Sequence, residues 1–252
     1  PVYYLARGDV FRHAFIRKLL AVMKMLPVYR IRDGREKLGL NEETFEKSRW
    51  VLSRGDILLV FVEGFCLHQT TLQLPLKKGA PRVIDACWRQ GVPVRILPVW
   101  LRYSSFVHHP KEIEVRLGEV ISPAGDEIKY EPPVVWQAIN ERTATALRAL
   151  EHQPDKPFGK RIPVGGVLLF LPAMLGAVLH APLYLPARAI VRYATRDNVH
   201  YDSSLFATLL LTYPLYLITI GSAVAVAVSW HWFFFPVLVL PLLARAYVVW
   251  KP

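Results

Sequence analysis

Three short stretches in the first half of the chain place residue types able to hold a phosphate and a hydroxyl in the order Arg30, Glu63-Gly64 and Lys77-Lys78-Gly79. Arg30 closes the run Pro27-Val28-Tyr29-Arg30, and a guanidinium at a strand end can take a phosphate bidentately. Gly64 behind Glu63 lets the backbone turn sharply, so that the carboxylate can face a site. Lys77 and Lys78 lead into a helix whose first N–H groups attract an anion. Taken singly, each has a plainer meaning: a solvated strand-end charge, a turn, a surface helix entry. Their order and spacing carry the chemical reading. His68 lies close to them along the chain and reads as a polar loop residue. Cys66 and Cys87 form no C-x-x-C pair, which suits a reducing compartment, and no metal-ligand spacing occurs.

The elements that must position these residues alternate. Pro1 to Ala6 reads as a strand, and Asp9 is a candidate cap for a helix to about Met25, with Phe11, Phe15, Leu19 and Met23 at helical spacing. Pro27 to Ile31 reads as a second strand. Asn41 is a good N-cap, with Glu42 and Glu43 in the first turn and Gly55 as the stop. Ile57 to Val62 is a continuous apolar run, the pattern of a strand covered on both faces. Ala80 to Gln90 predicts a helix ending at Gly91, Val92 to Leu101 another buried strand, Ile113 to Leu117 an edge strand and Val134 to Leu150 an amphipathic helix. Strands alternating with helices imply an α/β domain with a mainly parallel sheet flanked by helices, whose ligands gather at the carboxyl ends of its strands.

Charge and hydropathy divide the chain. Of its 31 lysines and arginines and 20 acidic residues, only Arg188, Arg192, Arg196, Arg245, Lys251, Asp197 and Asp202 fall after Arg161. A net charge of +11 calls for an acidic counterpart. With no zinc-finger spacing, arginine run or RNP-like pattern, the counterpart is anionic lipid or a phosphate-bearing substrate rather than nucleic acid. We divide the chain into residues 1–151, a linker at 152–162, and a membrane-associated helical region at 163–252. Within that region Leu205 to Val228 is long enough to span a bilayer, which takes roughly 20 residues. Pro163 to Pro186, broken by two glycines and internal prolines and with cations on both flanks, is expected to dip in and return, three plain spans being the alternative. A hairpin is expected to turn at Trp230, His231 and Trp232. The arginines between Ala187 and Ser204 and the flank at Lys160-Arg161 are expected to face the cytoplasm.

Phe61-Val62-Glu63-Gly64 followed by Leu74-Pro75-Leu76-Lys77-Lys78-Gly79 resembles the F-P-E-G … L-x-P-x-K-x-G block of the glycerol-3-phosphate and lysophosphatidate acyltransferase superfamily. Pro27-Val28-Tyr29-Arg30 resembles that family's second block, Val92 to Val99 its fourth, and Pro1 to Ala6 the strand after its first. The likeness covers about residues 1–150, and His180-Ala181-Pro182-Leu183 with the apolar tail is similar to a membrane-anchored branch. It implies acyl transfer from acyl-CoA or acyl-carrier protein, as co-substrate and with no cofactor, to a phosphorylated glycerol. Arg30, with Lys77 or Lys78, would hold the acceptor's phosphate, and Glu63 would hold acceptor hydroxyls or organise the loop. Two departures stand out: Val62 replaces a proline, and Phe65-Cys66 replaces a small polar pair. The family's H-x-x-x-x-D block is absent, since none of the eight histidines has aspartate five positions on. His109 has Glu114 there, out of order. The catalytic pair is therefore expected upstream of Pro1, and the sheet is expected to leave an apolar face or edge uncovered. The competing readings are a non-catalytic lipid- or partner-binding module and, more weakly, a small transporter.

Overall fold

A computed structural model describes the chain except residues 30–35, 37–38, 66, 107–110, 127–128, 159–165, 197–198 and 251–252, and the side chains of 166–167. Arg30, Ile31, Cys66, His108, His109, Lys160 and Arg161 therefore lie outside the described residues. Two compact units emerge, Pro1–Arg102 with Val115–Pro154, and Tyr103–Glu114 with Asp155–Pro252.

The first unit is built on three parallel strands in the order β2-β1-β3, where β1 is Val2–Arg7, β2 Met25–Val28 and β3 Ile57–Leu59. Tyr4 stands between Met25 and Leu59, and Tyr3 beside Leu58. Because side chains alternate along a strand, Tyr3 and Leu58 share one face, and Tyr4, Ile57 and Leu59 the other. Among the described residues the first of these faces is the more fully covered. Leu58 packs against a core of Phe45, Val83, Cys87, Trp88, Val94, Val135 and Ile139, drawn from α2 (Leu40–Ser53), α3 (Gly79–Arg89) and α4 (Pro132–Glu151). Ile57 is 60% exposed and Tyr4 and Leu59 are open as well. The apolar run at Ile57 is thus an edge strand covered on one side, and it ends at Leu59 rather than Val62.

Other expectations change for local reasons. The segment from Asp9 is not one helix: Gly8–Arg12 is a 3-10 turn, and α1 follows at Ala14–Val22. Asp9 is not the N-cap of α1, a place held by His13, and its carboxylate takes two hydrogen bonds from the Arg7 guanidinium. Asn41 is not the N-cap of α2, a place held by Gly39. Its side chain instead receives the Tyr29 N–H at 2.8 Å and donates to the Tyr29 carbonyl at 2.8 Å. Thr44 Oγ1 donates to the Pro27 carbonyl at 2.7 Å. Two polar side chains of α2 thus pair the chain leaving β2. Val92 to Pro98 forms no continuous strand, since Pro93 and Pro98 lack the N–H a ladder needs. The regular strand, β4, spans Val99–Tyr103 and pairs with β5, Ile113–Leu117. In β5 the alternation runs inside out: Arg116 is buried, and Ile113, Val115 and Leu117 are exposed. Arg116 Nη1 donates to the carbonyls of Leu150 and Gln153 at 2.8 and 2.9 Å, so a cation satisfies the C-terminal end of α4.

In the second unit the first apolar stretch does not dip and return. It is one helix of 30 residues, α5 at Gly166–Thr195, about 45 Å long at 1.5 Å per residue. It contains Pro172, Pro182 and Pro186 and continues through Ala187 to Thr195. A proline ring crowds the carbonyls one turn back. Tyr216 of α6 (Tyr201–Ala227) donates its hydroxyl to the Leu179 carbonyl, three residues before Pro182. Neighbouring side chains supply such partners in apolar helices. His180 bonds the Gly176 carbonyl through Nδ1 and the Tyr213 hydroxyl through Nε2. At Gly176, α5 meets α7 (Phe234–Trp250) so closely that a Cβ would lie 2.3 Å from the Leu243 carbonyl oxygen. Only a residue without a side chain permits that approach. The turn between α6 and α7 is the 3-10 segment Trp230–Phe233, where the aromatic cluster was expected. Lys111, on the β4–β5 connection, pairs with Asp202 and donates to the Phe106 carbonyl at 3.0 Å.

Three described helical segments, Leu168–Thr195, Tyr201–Ala227 and Trp230–Trp250, are long and apolar enough to cross a membrane. That fits membrane association.

Two tests follow from these contacts. Asn41→Ala leaves the Tyr29 N–H and carbonyl unpaired, so thermal melts of the full chain in detergent should show a loss of about 1–3 kcal/mol. An unchanged midpoint would mean that water replaces the side chain at no cost. If α6 crosses the bilayer, cysteines at Ser203 and Ser229 should react with an impermeant maleimide from opposite sides. Labelling of both from the same side would exclude α6 as a span.

Candidate functional site

The loop that follows β3 brings together three of the residues singled out by spacing. Glu63 Oε1 accepts the Gln73 N–H at 2.8 Å, closing a ten-residue excursion. The Lys77 N–H donates to the Val62 carbonyl at 2.9 Å, which returns the chain beside its start. Two contacts from α4 hold the far side: Glu151 Oε1 receives the Leu72 N–H at 3.1 Å, and Asn140 Nδ2 donates to the Leu76 carbonyl at 3.3 Å. Leu76 is buried beneath the loop. Of the two roles open to Glu63, the loop-organising one is visible in these bonds. Its second oxygen, Oε2, has no partner among the described residues and stays available to accept a hydroxyl.

Gly64 has φ +68°, a conformation that costs any residue with a Cβ. A Cβ there would also lie 2.8 Å from Lys77 Cγ, so the glycine makes room for the lysine stem. The Lys77 ammonium stands over the Phe65 ring, 4.4 Å from its centroid. Phe65, one of the two departures from the expected block, thus positions a cation through its π face. Lys78 is exposed and is the N-cap of α3, and Gly79 is the first residue of that helix. Glu63, Gly64 and Lys77 are in one cluster, with Lys78 and Gly79 adjoining through the chain. Arg30, the fourth element of the expectation, lies outside the described residues. The chain up to it is nevertheless pinned, because Asn41 holds Tyr29. The Tyr29 ring in turn fills the space over Gly8, where a Cβ would come within 2.4 Å of it.

At the carboxyl ends of β1 and β2 lies a cavity of about 260 Å³, lined by Gly8, Asp9, Phe11, Arg12, Arg17, Tyr29 and Leu40. Sequence reasoning passed over Arg12 and Arg17. The signal available was the pair Gly8-Asp9 at the end of a strand, which marks a turn at the ligand-binding edge of a parallel sheet. His68 is exposed in the same loop as Glu63. Among the described residues, no group of three or more His, Cys, Asp or Glu could hold a metal ion.

The loop geometry makes a direct prediction. Glu63→Gln keeps an acceptor for the Gln73 N–H, whereas Glu63→Ala removes it. Amide exchange at Gln73 should be near wild type in the first and about ten- to a hundredfold faster in the second, the equivalent of one lost bond. Gly64→Ala should loosen the same amide through strain and contact with Lys77. Equal exchange in all three variants would show that the carboxylate does not hold the loop.

No curated protein and no solved structure matches the chain. Residues 1–102, which contain β1 to β3, the Glu63 loop and the Lys77 cation, match the protein-family model described as Acyltransferase.

Proposed function

We propose that this chain is the acceptor-binding and membrane-anchoring part of an O-acyltransferase of phospholipid synthesis. It would transfer a fatty acyl group from acyl-CoA or acyl-carrier protein to glycerol-3-phosphate or lysophosphatidate, with the domain of residues 1–151 on the cytoplasmic face. One observation carries the reading: the Glu63 loop and its Lys77 cation form one hydrogen-bonded unit inside the stretch that matches the Acyltransferase model.

In this reading Arg30, together with Lys77 or Lys78, neutralises the acceptor's phosphate. Glu63 Oε2 accepts a glycerol hydroxyl that is not reacting, while Oε1 keeps the loop closed. The reacting hydroxyl is a poor nucleophile at neutral pH and needs a base. A histidine fixed by an aspartate, contributed by residues before Pro1, takes its proton. The oxygen attacks the thioester carbonyl, the C–S bond breaks, and the thiolate leaves with a proton returned by the same imidazole. The non-catalytic binding module is the second reading, favoured by the absence of H-x-x-x-x-D around all eight histidines.

Thioester consumption with glycerol-3-phosphate and with lysophosphatidate, by the chain joined to its native upstream residues, separates the two. Turnover is expected from the longer form only. Arg30→Ala in that form should raise the acceptor KM about ten- to a hundredfold while leaving the thioester KM near wild type, since one charge-assisted contact is lost. Parallel changes in both constants would make Arg30 structural, and a folded but inactive long form would favour the binding module.

A further inference from the structure

Helix α1 turns its most apolar face outward. Phe15 is 79% and Val22 81% exposed, and Leu19 and Met23 are each half exposed. Phe15, Leu19 and Val22 follow the i, i+4, i+7 spacing of one helical face. Ile16 and Leu20 turn toward the protein and are half-buried. The ridge that the sequence pattern assigns to a core therefore packs against nothing among the described residues.

The charges around it have one sign. Between Gly8 and Lys24 stand Arg12, Arg17, Lys18 and Lys24 against a single acidic residue, Asp9, which Arg7 already engages. Lys18 sits one turn from both Phe15 and Val22 along the edge of the ridge, and Arg12 ends the 3-10 turn that precedes the helix. Lysine and arginine stems extend from such an edge, so their heads reach phosphates while the ridge enters the apolar layer. The second unit carries three helical segments long and apolar enough to cross a membrane, so a bilayer is the surface this chain meets.

We propose that α1 is an interfacial helix that lies in the plane of an anionic bilayer, with Phe15, Leu19 and Val22 buried below the head groups and Arg12 and Lys18 on lipid phosphates. An outward apolar ridge bordered by cations defines this class of membrane contact, with a depth of about 5–10 Å. Anionic lipid is preferred over a neutral surface because cations outnumber carboxylates four to one between Gly8 and Lys24. The contact is independent of acyl transfer and stands whether or not the chain is catalytic.

Single cysteines at Phe15, Val22 and Arg17, each labelled with an environment-sensitive fluorophore, test this in the full chain reconstituted in vesicles. Cys66→Ser removes one native thiol. Cys87 can stay, because it is fully buried and burial pushes its pKa up against a weaker opposing pull from Arg49. Nitroxide placed high on the lipid acyl chain should quench the probes at 15 and 22 about threefold more than the probe at 17, in phosphatidylglycerol-containing vesicles. Arg12→Glu with Lys18→Glu, or vesicles of phosphatidylcholine alone, should reduce that quenching. Any of three results overturns the proposal: no lipid quenching at 15 and 22, equal quenching in both vesicle types, or probes shielded from water by protein. The third is read as quenching by a nitroxide-labelled second copy, or as protection that persists in detergent.

Discussion

One-sided packing of a narrow parallel sheet governs the first unit. Three strands present two apolar faces, and α2, α3 and α4 cover only the one that carries Leu58. Each fully buried Val or Ile of that layer, among them Val83, Val135 and Ile139, is worth about 1.5–3 kcal/mol. The same layer fixes what the strands' carboxyl ends can do. Asn41 and Thr44 of α2 hold the exit from β2, while Asn140 and Glu151 of α4 hold the loop leaving β3. Core helices and site loops are thus the same elements seen from two sides, and loosening the core misplaces the cations.

Against that background the Glu63 loop is a small device with a clear division of labour. A carboxylate oxygen closes the loop, a glycine clears space, and an aromatic face holds the ammonium. A cation over an aromatic ring keeps its charge while losing freedom, at a gain of about 0.5–1 kcal/mol on an exposed surface. That is weak enough for a phosphate to draw the ammonium away. Val62 contributes through its backbone carbonyl, which pairs Lys77. A change of side chain at that position leaves the bond in place.

Local signals were legible where local physics decides. Gly55 and Gly91, both at φ +77°, stop α2 and α3 where the sequence predicts. The amphipathic repeat of Val134 to Leu150 marks α4, which begins two residues earlier at Pro132. What could not be read depends on distant partners. Ile57 to Leu59 has the composition of a strand covered on both faces, yet coverage is set by how many helices arrive. Asn41 has the composition of a cap, but a strand exit in reach offered it two bonds instead of one. The partner of Glu63 lies across a loop with no periodicity to reveal it. For Arg30 the sequence argument stands alone, since that residue lies outside the described ones.

The apolar helices show the limit of treating proline as a stop. In water a proline inside a helix costs about 3 kcal/mol, because the freed carbonyl competes with solvent-bonded alternatives. In an apolar surrounding there is no such alternative, and an open chain would strand every N–H and carbonyl it contains. The helix then persists through Pro172, Pro182 and Pro186, and a Tyr216 hydroxyl from α6 supplies a partner near the break. That bond needs α5 and α6 to be neighbours, as the close approach at Gly176 needs α7. Prolines that read as interruptions of a single segment are therefore compatible with a continuous helix once a small residue such as Gly176 lets a neighbour approach and a neighbouring hydroxyl such as that of Tyr216 is in reach. Charge is handled in the same way within this unit: Lys111 and Asp202 are both mostly buried, and each offsets part of the other's desolvation.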